Sequence, residues 1–155
     1  MATNSAALIM SIISQIEASD FDRLYEIEQQ AHLVPWSFGT LKNNQGDRYL
    51  NLKLIENDQI IGFAICQIVL DEATLFDIAI LPSHQGNGLG KLLLNELIAQ
   101  LKEKAVQTLW LEVRESNPAR FLYEKIGFNE VDIRKNYYPK PSGGRENAVV
   151  MACYL

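Results

Sequence analysis

Three glycines at alternate positions, Gly86, Gly88 and Gly90 in HQGNGLGKLLL, stand between the apolar run TLFDIAIL and a stretch whose apolar residues recur at helical spacing. No other part of the chain constrains the fold as tightly. Leu89, Leu92, Leu93, Leu97, Ile98 and Leu101 share one helical face, KEK closes the helix with charge, and VQTLWLEV follows as an apolar strand. Strand, turn, helix and strand in this order make a βαβ unit, with a right-handed crossover and parallel strands. TLFDIAIL, nearly all apolar, is expected to be buried on both faces. The glycines bring bare N–H groups to a helix start, where the helix dipole adds partial positive charge; such a site suits an anion.

Around this unit the periodicity predicts further elements. The apolar ALIMSII opens a first strand, about residues 7–18; it is short and lacks a basic flank, so it is neither a signal peptide nor a membrane span. SDFDRLYEIEQQAH forms a helix with Ser19 and Asp20 as caps and Phe21, Leu24, Tyr25, Ile27 and Ala31 on its apolar face. PWSFGTLKNN gives a second, short helix, with Pro35 ahead of it, Ser37 as cap and Gly46 as stop. YLNLKLIE alternates apolar with polar, NDQ turns the chain, IIGFAICQIVL returns as its partner, and DEA turns it again. PARFLYEKIGF is a helix stopped by Gly127, and NEVDIRKNYY and AVVMACYL are strands joined by the loop PKPSGGREN. With no repeat or linker, residues 1–155 are expected to form one α+β domain around a mixed sheet.

Composition excludes several function classes. A net charge of −5 argues against binding nucleic acid through its phosphates and suits a cationic partner better. Cys66 and Cys153 lie far apart in apolar runs, as buried thiols in a reducing compartment do. His32 and His84 are not at zinc spacing with any Cys or His, so no metal site is expected.

The glycine stretch fails two phosphate-binding patterns. A P-loop requires Gly five residues before Gly90 and Ser or Thr after Lys91, but Gln85 and Leu92 stand there. A dinucleotide fingerprint lacks its third glycine, because Lys91 occupies that place. Gln85-x-x-Gly88-x-Gly90, after an apolar strand and before an amphipathic helix, instead resembles the acetyl-coenzyme A motif of the GCN5-related N-acetyltransferases (GNAT). Leu122, Tyr123, Gly127 and Phe128 match that family's Leu-Tyr-x-x-x-Gly-Phe helix. The resemblance implies a mixed, mostly antiparallel sheet with flanking helices. It also implies acetyl-coenzyme A held by the strand backbone at Ile78, Ala79 and Ile80, by the loop Gly86, Asn87, Gly88, Leu89, Gly90 and Lys91, and by Asn117. Two departures stand out. Gly86 replaces a residue that is often basic in the family, and the spacing from Asn117 to Tyr123 is one residue shorter than usual, so either the helix start tightens, helped by Pro118, or the Asn117 contact is altered.

Acetyl transfer to an amine needs a base to remove the ammonium proton and gains from an acid at the departing thiolate. Glu112, in LWLEVRESN, is a carboxylate at the end of an apolar strand; alternation alone leaves open whether it faces solvent or a cleft. Tyr123, on a helix, could equally be core. Resemblance to a branch of the family acting on the N-terminal alanine of a ribosomal protein makes Glu112 the general base and Tyr123 the general acid. It carries over to Trp36, Tyr137 and Tyr138 in PWS and NYYP as the grip on the substrate's first residues. Neither cysteine lies in these motifs, which implies direct transfer. The expected partner is the basic N-terminal tail of a ribosomal protein, met by a cytoplasmic monomer without metal, membrane or direct nucleic-acid contact. An enzyme acting on a small amine or lysine side chain, or a silent acyl-coenzyme A sensor, fits the same motifs.

Overall fold

The computed structural model describes residues 11–155. Seven strands, β1 (Ser11–Gln15), β2 (Leu52–Glu56), β3 (Gln59–Val69), β4 (Glu72–Ile80), β5 (Thr108–Arg114), β6 (Asn129–Pro139) and β7 (Arg145–Tyr154), form one sheet in the order β1-β2-β3-β4-β5-β7-β6. Every neighbouring pair is antiparallel except β4 and β5, the βαβ pair. Helices α1 (Phe21–Ala31), α2 (Phe38–Asn43), α3 (Leu89–Glu103) and α4 (Ala119–Ile126) flank it. The expected α+β architecture with its mixed, mostly antiparallel sheet is the one observed. Residues 7–10 of the anticipated first strand lie outside the described residues, and that strand ends at Gln15, before a 3-10 turn at Ala18–Asp20.

Local chemistry accounts for the joints. Asn57 and Asp58 take φ of 51° and 63° in the β2–β3 turn, a left-handed pair that these two residue types tolerate and that matches strand twist. Ser37 accepts the Thr40 N–H at 3.1 Å and starts α2. Gly127, at φ 128°, ends α4. Both α1 and α3 contact β3 and β4, and Ile61 to Cys66 of β3 are buried without a break.

Four expectations need correction. Asp20 makes no capping bond to α1; its carboxylate accepts the Glu17 N–H at 2.7 Å and pairs with Lys53 Nζ at 2.7 Å. That pair also overturns the alternation of YLNLKLIE, for Lys53 is only 8% exposed. On α3, Leu92 is exposed and Leu94 takes its place in the core. TLFDIAIL is not buried on both faces: Phe76 is 42% exposed and Thr74 and Ile78 are half-buried, all on one face of the strand, while Ala73, Leu75, Asp77 and Ala79 are buried on the other.

Candidate active site

The β4–β5 ladder pairs Glu72 with Thr108 and ends at Leu75 with Leu111. Beyond it β4 continues against β3 as far as Ile80, while β5 continues against β7 as far as Arg114. The two strands thus part like a V, and alternate backbone groups of β4 from Phe76 onward turn toward the gap without a strand partner there. On the β4 side, Gly62 permits the close approach: a Cβ there would lie 2.5 Å from Ile80 Cδ1 and 2.8 Å from the Ala79 carbonyl oxygen.

Two cavities of about 370 and 380 Å³ open at the V. One is lined by Ile78, Ala79 and Ile80 of β4, by Gly86, Leu89 and Gly90, and by Leu122. The other is lined by Trp36, Glu112, Arg114 and Tyr138 and includes the acids Glu28 and Asp77. Ala31, His32, Ile78, Asn117, Pro118 and Tyr123 line both. The sites anticipated for coenzyme and for acceptor are therefore adjacent, and Tyr123 stands where they meet.

At the glycine loop, Gly88 precedes α3 at φ 77° and supplies no side-chain cap, so the N–H groups of the first turn remain open. Cβ atoms on Gly86 or Gly88 would meet nothing within 4 Å. Gln85 fastens the loop by donating from Nε2 to the Ile80 carbonyl at 2.9 Å. Asn87 donates to the His84 carbonyl at 3.4 Å, and Lys91 is exposed in the first turn. The shortened segment before Tyr123 is tightened as Pro118 suggested: Asn117 Oδ1 accepts the Ala119 N–H at 2.9 Å, and Phe121 N–H reaches the Pro118 carbonyl at 3.1 Å. Asn117 thus caps α4 while lining both cavities.

Glu112 faces the cleft, 27% exposed, with Arg134 Nε at 3.2 Å from Oε1. A hydrogen bond with Glu112 raises the Tyr137 hydroxyl above its ordinary range. Tyr137 does not line either cavity; it is exposed on the rim, edge-on to Tyr138 at 5.0 Å between ring centroids. Burial, with the Asp77 charge adding to it, pushes the Tyr123 hydroxyl up to about 12. Burial and then Glu112 do the same for Tyr138, also to about 12.

Sequence reasoning passed over two groups. Arg114 lies 4.7 Å from the Tyr138 ring centroid and donates to the Pro139 carbonyl at 2.9 Å and to Glu146 at 3.2 Å, so it holds Tyr138 in place on the cavity wall. Glu28, His32 and Asp77 gather from α1, its end and β4, their ligand atoms within 4.8 Å of one another. His32 Nε2 bonds Asp77 Oδ1 at 2.8 Å, and Glu28 Oε2 accepts the Trp36 N–H at 3.0 Å. The helical spacing of Glu28 and His32 was a visible signal; the partner forty-five residues on was not.

A strand splayed from its parallel neighbour, a glycine turn at a helix start and a tyrosine at the junction define an acyl-transfer fold. The family model for the acetyltransferase (GNAT) family matches residues 12–128, and the chain belongs to that family. The [ribosomal protein bS18]-alanine N-acetyltransferase of Haemophilus influenzae is 90% identical over 146 residues, covering 94% of this chain and 100% of the relative. The crystal structure of the ribosomal-protein-S18-alanine N-acetyltransferase from Escherichia coli superimposes with a TM-score of 0.90 at 53% identity, covering 94% of each chain. The PaiA N-acetyltransferase of Thermoplasma acidophilum, crystallised with coenzyme A, shares the fold at 19% identity and a TM-score of 0.77, covering 94% of this chain and 99% of that one.

Proposed function

We propose that this chain transfers the acetyl group of acetyl-coenzyme A to the α-amine of the N-terminal alanine of ribosomal protein bS18, the substrate its relatives' names carry. The chain acts as one domain, a reading supported among the described residues by the sheet, which continues beyond the family match through β7 to Tyr154. The observation that carries the reading is the pair of cavities meeting at Tyr123, with Glu112 on the wall of one and the glycine loop on the wall of the other.

Gly86 to Lys91 would hold the pyrophosphate on open backbone donors, and the edge of β4 that faces the gap at Ile78 to Ile80 would align the pantetheine arm; Asn117 borders both. When bound, the coenzyme supplies an activated thioester. Glu112 takes the proton from the α-ammonium, directly or through water, and frees the nitrogen lone pair for attack. Backbone N–H groups of β4 at the gap polarise the carbonyl, and Tyr123 Oη gives its proton to the departing sulfur. Its raised value keeps the Tyr123 hydroxyl protonated, so that it can donate to the sulfur as thiolate charge develops. Trp36 and Tyr138 hold the substrate's first residues, and Tyr137 closes the rim over Glu112. Direct transfer is supported by the cysteines, since both are core residues and burial pushes Cys66 up to about 12. The acceptor is the basic tail of a cytoplasmic ribosomal protein and the enzyme acts as a monomer. Mass spectrometry of a bS18 N-terminal peptide beside the same peptide with a blocked α-amine tests this: one acetyl gained on the free amine alone is expected. Acetylation of a lysine side chain, or of neither peptide while coenzyme still binds, would overturn it.

A further inference from the structure

Glu28 and Asp77 each carry a buried oxygen with no hydrogen-bond partner, Oε1 and Oδ2. Two ionised carboxylate oxygens cannot hydrogen-bond one another, but the two carboxyl groups lie in a cluster whose polar atoms fall within 4.8 Å, so a proton on one of them, donated to the other, relieves both orphans at once. Asp77 already has a donor, His32 Nε2 at 2.8 Å, whereas Glu28 Oε1 stands 3.6 Å from that nitrogen and Glu28 is 2% exposed. Glu28 is therefore the protonated partner. Its surroundings agree: burial first, then Asp77, raises its carboxyl to about 8. Burial works against a charged His32, yet the bond to Asp77 and the nearby carboxyls outweigh it and raise the imidazole.

The cluster joins three parts of the acceptor cavity. Asp77 lies on β4 just past the end of the β4–β5 ladder. Glu28 Oε2 holds the Trp36 N–H, and Gln29 Nε2 holds the Trp36 carbonyl at 3.1 Å, so both backbone groups of Trp36 are fastened to α1. We propose that Glu28, His32 and Asp77 form a positioning network in which one proton, carried by Glu28 and shared with Asp77, ties α1 and the Trp36 loop to the free end of β4 and fixes the acceptor half of the cleft. The proposal rests on the acceptor reading above. Tyr123 of α4 faces Asp77 from the coenzyme side, and Glu112 and Arg114 of β5 and Tyr138 of β6 line the same cavity.

Glutamine imitates a neutral carboxyl group: it can donate to Asp77 and accept from Trp36. Glu28→Gln is expected to keep the wild-type KM for the bS18 peptide and to hold it at alkaline pH, where the wild-type KM climbs. Glu28→Ala is expected to raise that KM about tenfold while kcat changes less than about twofold. A glutamine variant as impaired as the alanine variant, or an alanine variant that folds with unchanged KM, would overturn the proposal. Carbon-13 NMR of glutamate-labelled protein provides a readout free of the acceptor. One side-chain carboxyl carbon titrating near 8 in wild type and missing in Glu28→Gln supports the network; ordinary titration of every glutamate refutes it. If wild type ignores the peptide, the functional reading falls, and the NMR experiment still decides the network.

Discussion

Glu112 has Arg134 3.2 Å away and the Tyr137 hydroxyl beside it, so the proposed base sits in a charged rim that an incoming ammonium can join. Glu112→Gln should lower kcat by about 10²-fold or more, with coenzyme binding unchanged by calorimetry, because general-base catalysis typically contributes that much. Tyr123→Phe should likewise act on kcat, removing a proton donor while keeping the ring against Phe128 at 5.7 Å. Glu28 gives a prediction about stability. Its folded value, raised to about 8 from 4.5, means that the native state holds a proton the unfolded chain releases between those limits. Stability from this group is full below about 4.5 and is lost as pH rises through about 8. His32, also raised, acts in the same direction. Chemical denaturation from mildly acidic to alkaline pH should show this decline in wild type and a shallower one in Glu28→Gln. Glu112 and Tyr123 were legible through resemblance to the family's motifs, since alone a strand carboxylate can face solvent and a helix tyrosine can be core. Glu28 and Asp77 did not, because an isolated carboxylate looks the same in sequence whether it is solvated or buried beside another.

Among the elements, β4 lines both cavities. Its first half is paired on both edges, with β3 and β5; its second half keeps only β3 and turns its other edge to the cleft. Gly62 on β3 is the residue that lets the second half sit so close, with Ile80 Cδ1 and the Ala79 carbonyl in the space a side chain would need. Gly62→Ala should therefore reduce stability by about 1–3 kcal/mol, measured by urea denaturation, through strain at the coenzyme-side wall. An unchanged midpoint would mean that β4 shifts freely. The hairpin turn, the α2 cap and the Gly127 stop were legible because each depends on the conformational preference of one or two neighbouring residues. The exposure of Phe76 and Leu92 was not, since hydrophobicity records what a residue prefers and not which neighbour is missing.

At the scale of the molecule, a net charge of −5 and the acids Asp77 and Glu112 on the proposed acceptor cavity favour a cationic substrate. The value of kcat/KM on a basic bS18 peptide should fall several-fold as salt rises from low to physiological strength and beyond, mostly through KM. A peptide with its basic residues replaced by glutamine should lose that dependence. The order of elements, the parallel crossover and the glycine turn were determined by the sequence alone, because they rest on periodicity, backbone freedom and spacing within a few residues, whereas Tyr123 was singled out by its resemblance to the family's helix motif. The parting of β4 from β5, the meeting of two cavities at Tyr123, the Lys53–Asp20 pair and the Glu28–His32–Asp77 cluster were decided only by the tertiary structure. Each depends on which distant segments share a low-dielectric space, and that is set by the packing of the whole sheet against its helices and not by any local stretch of chain.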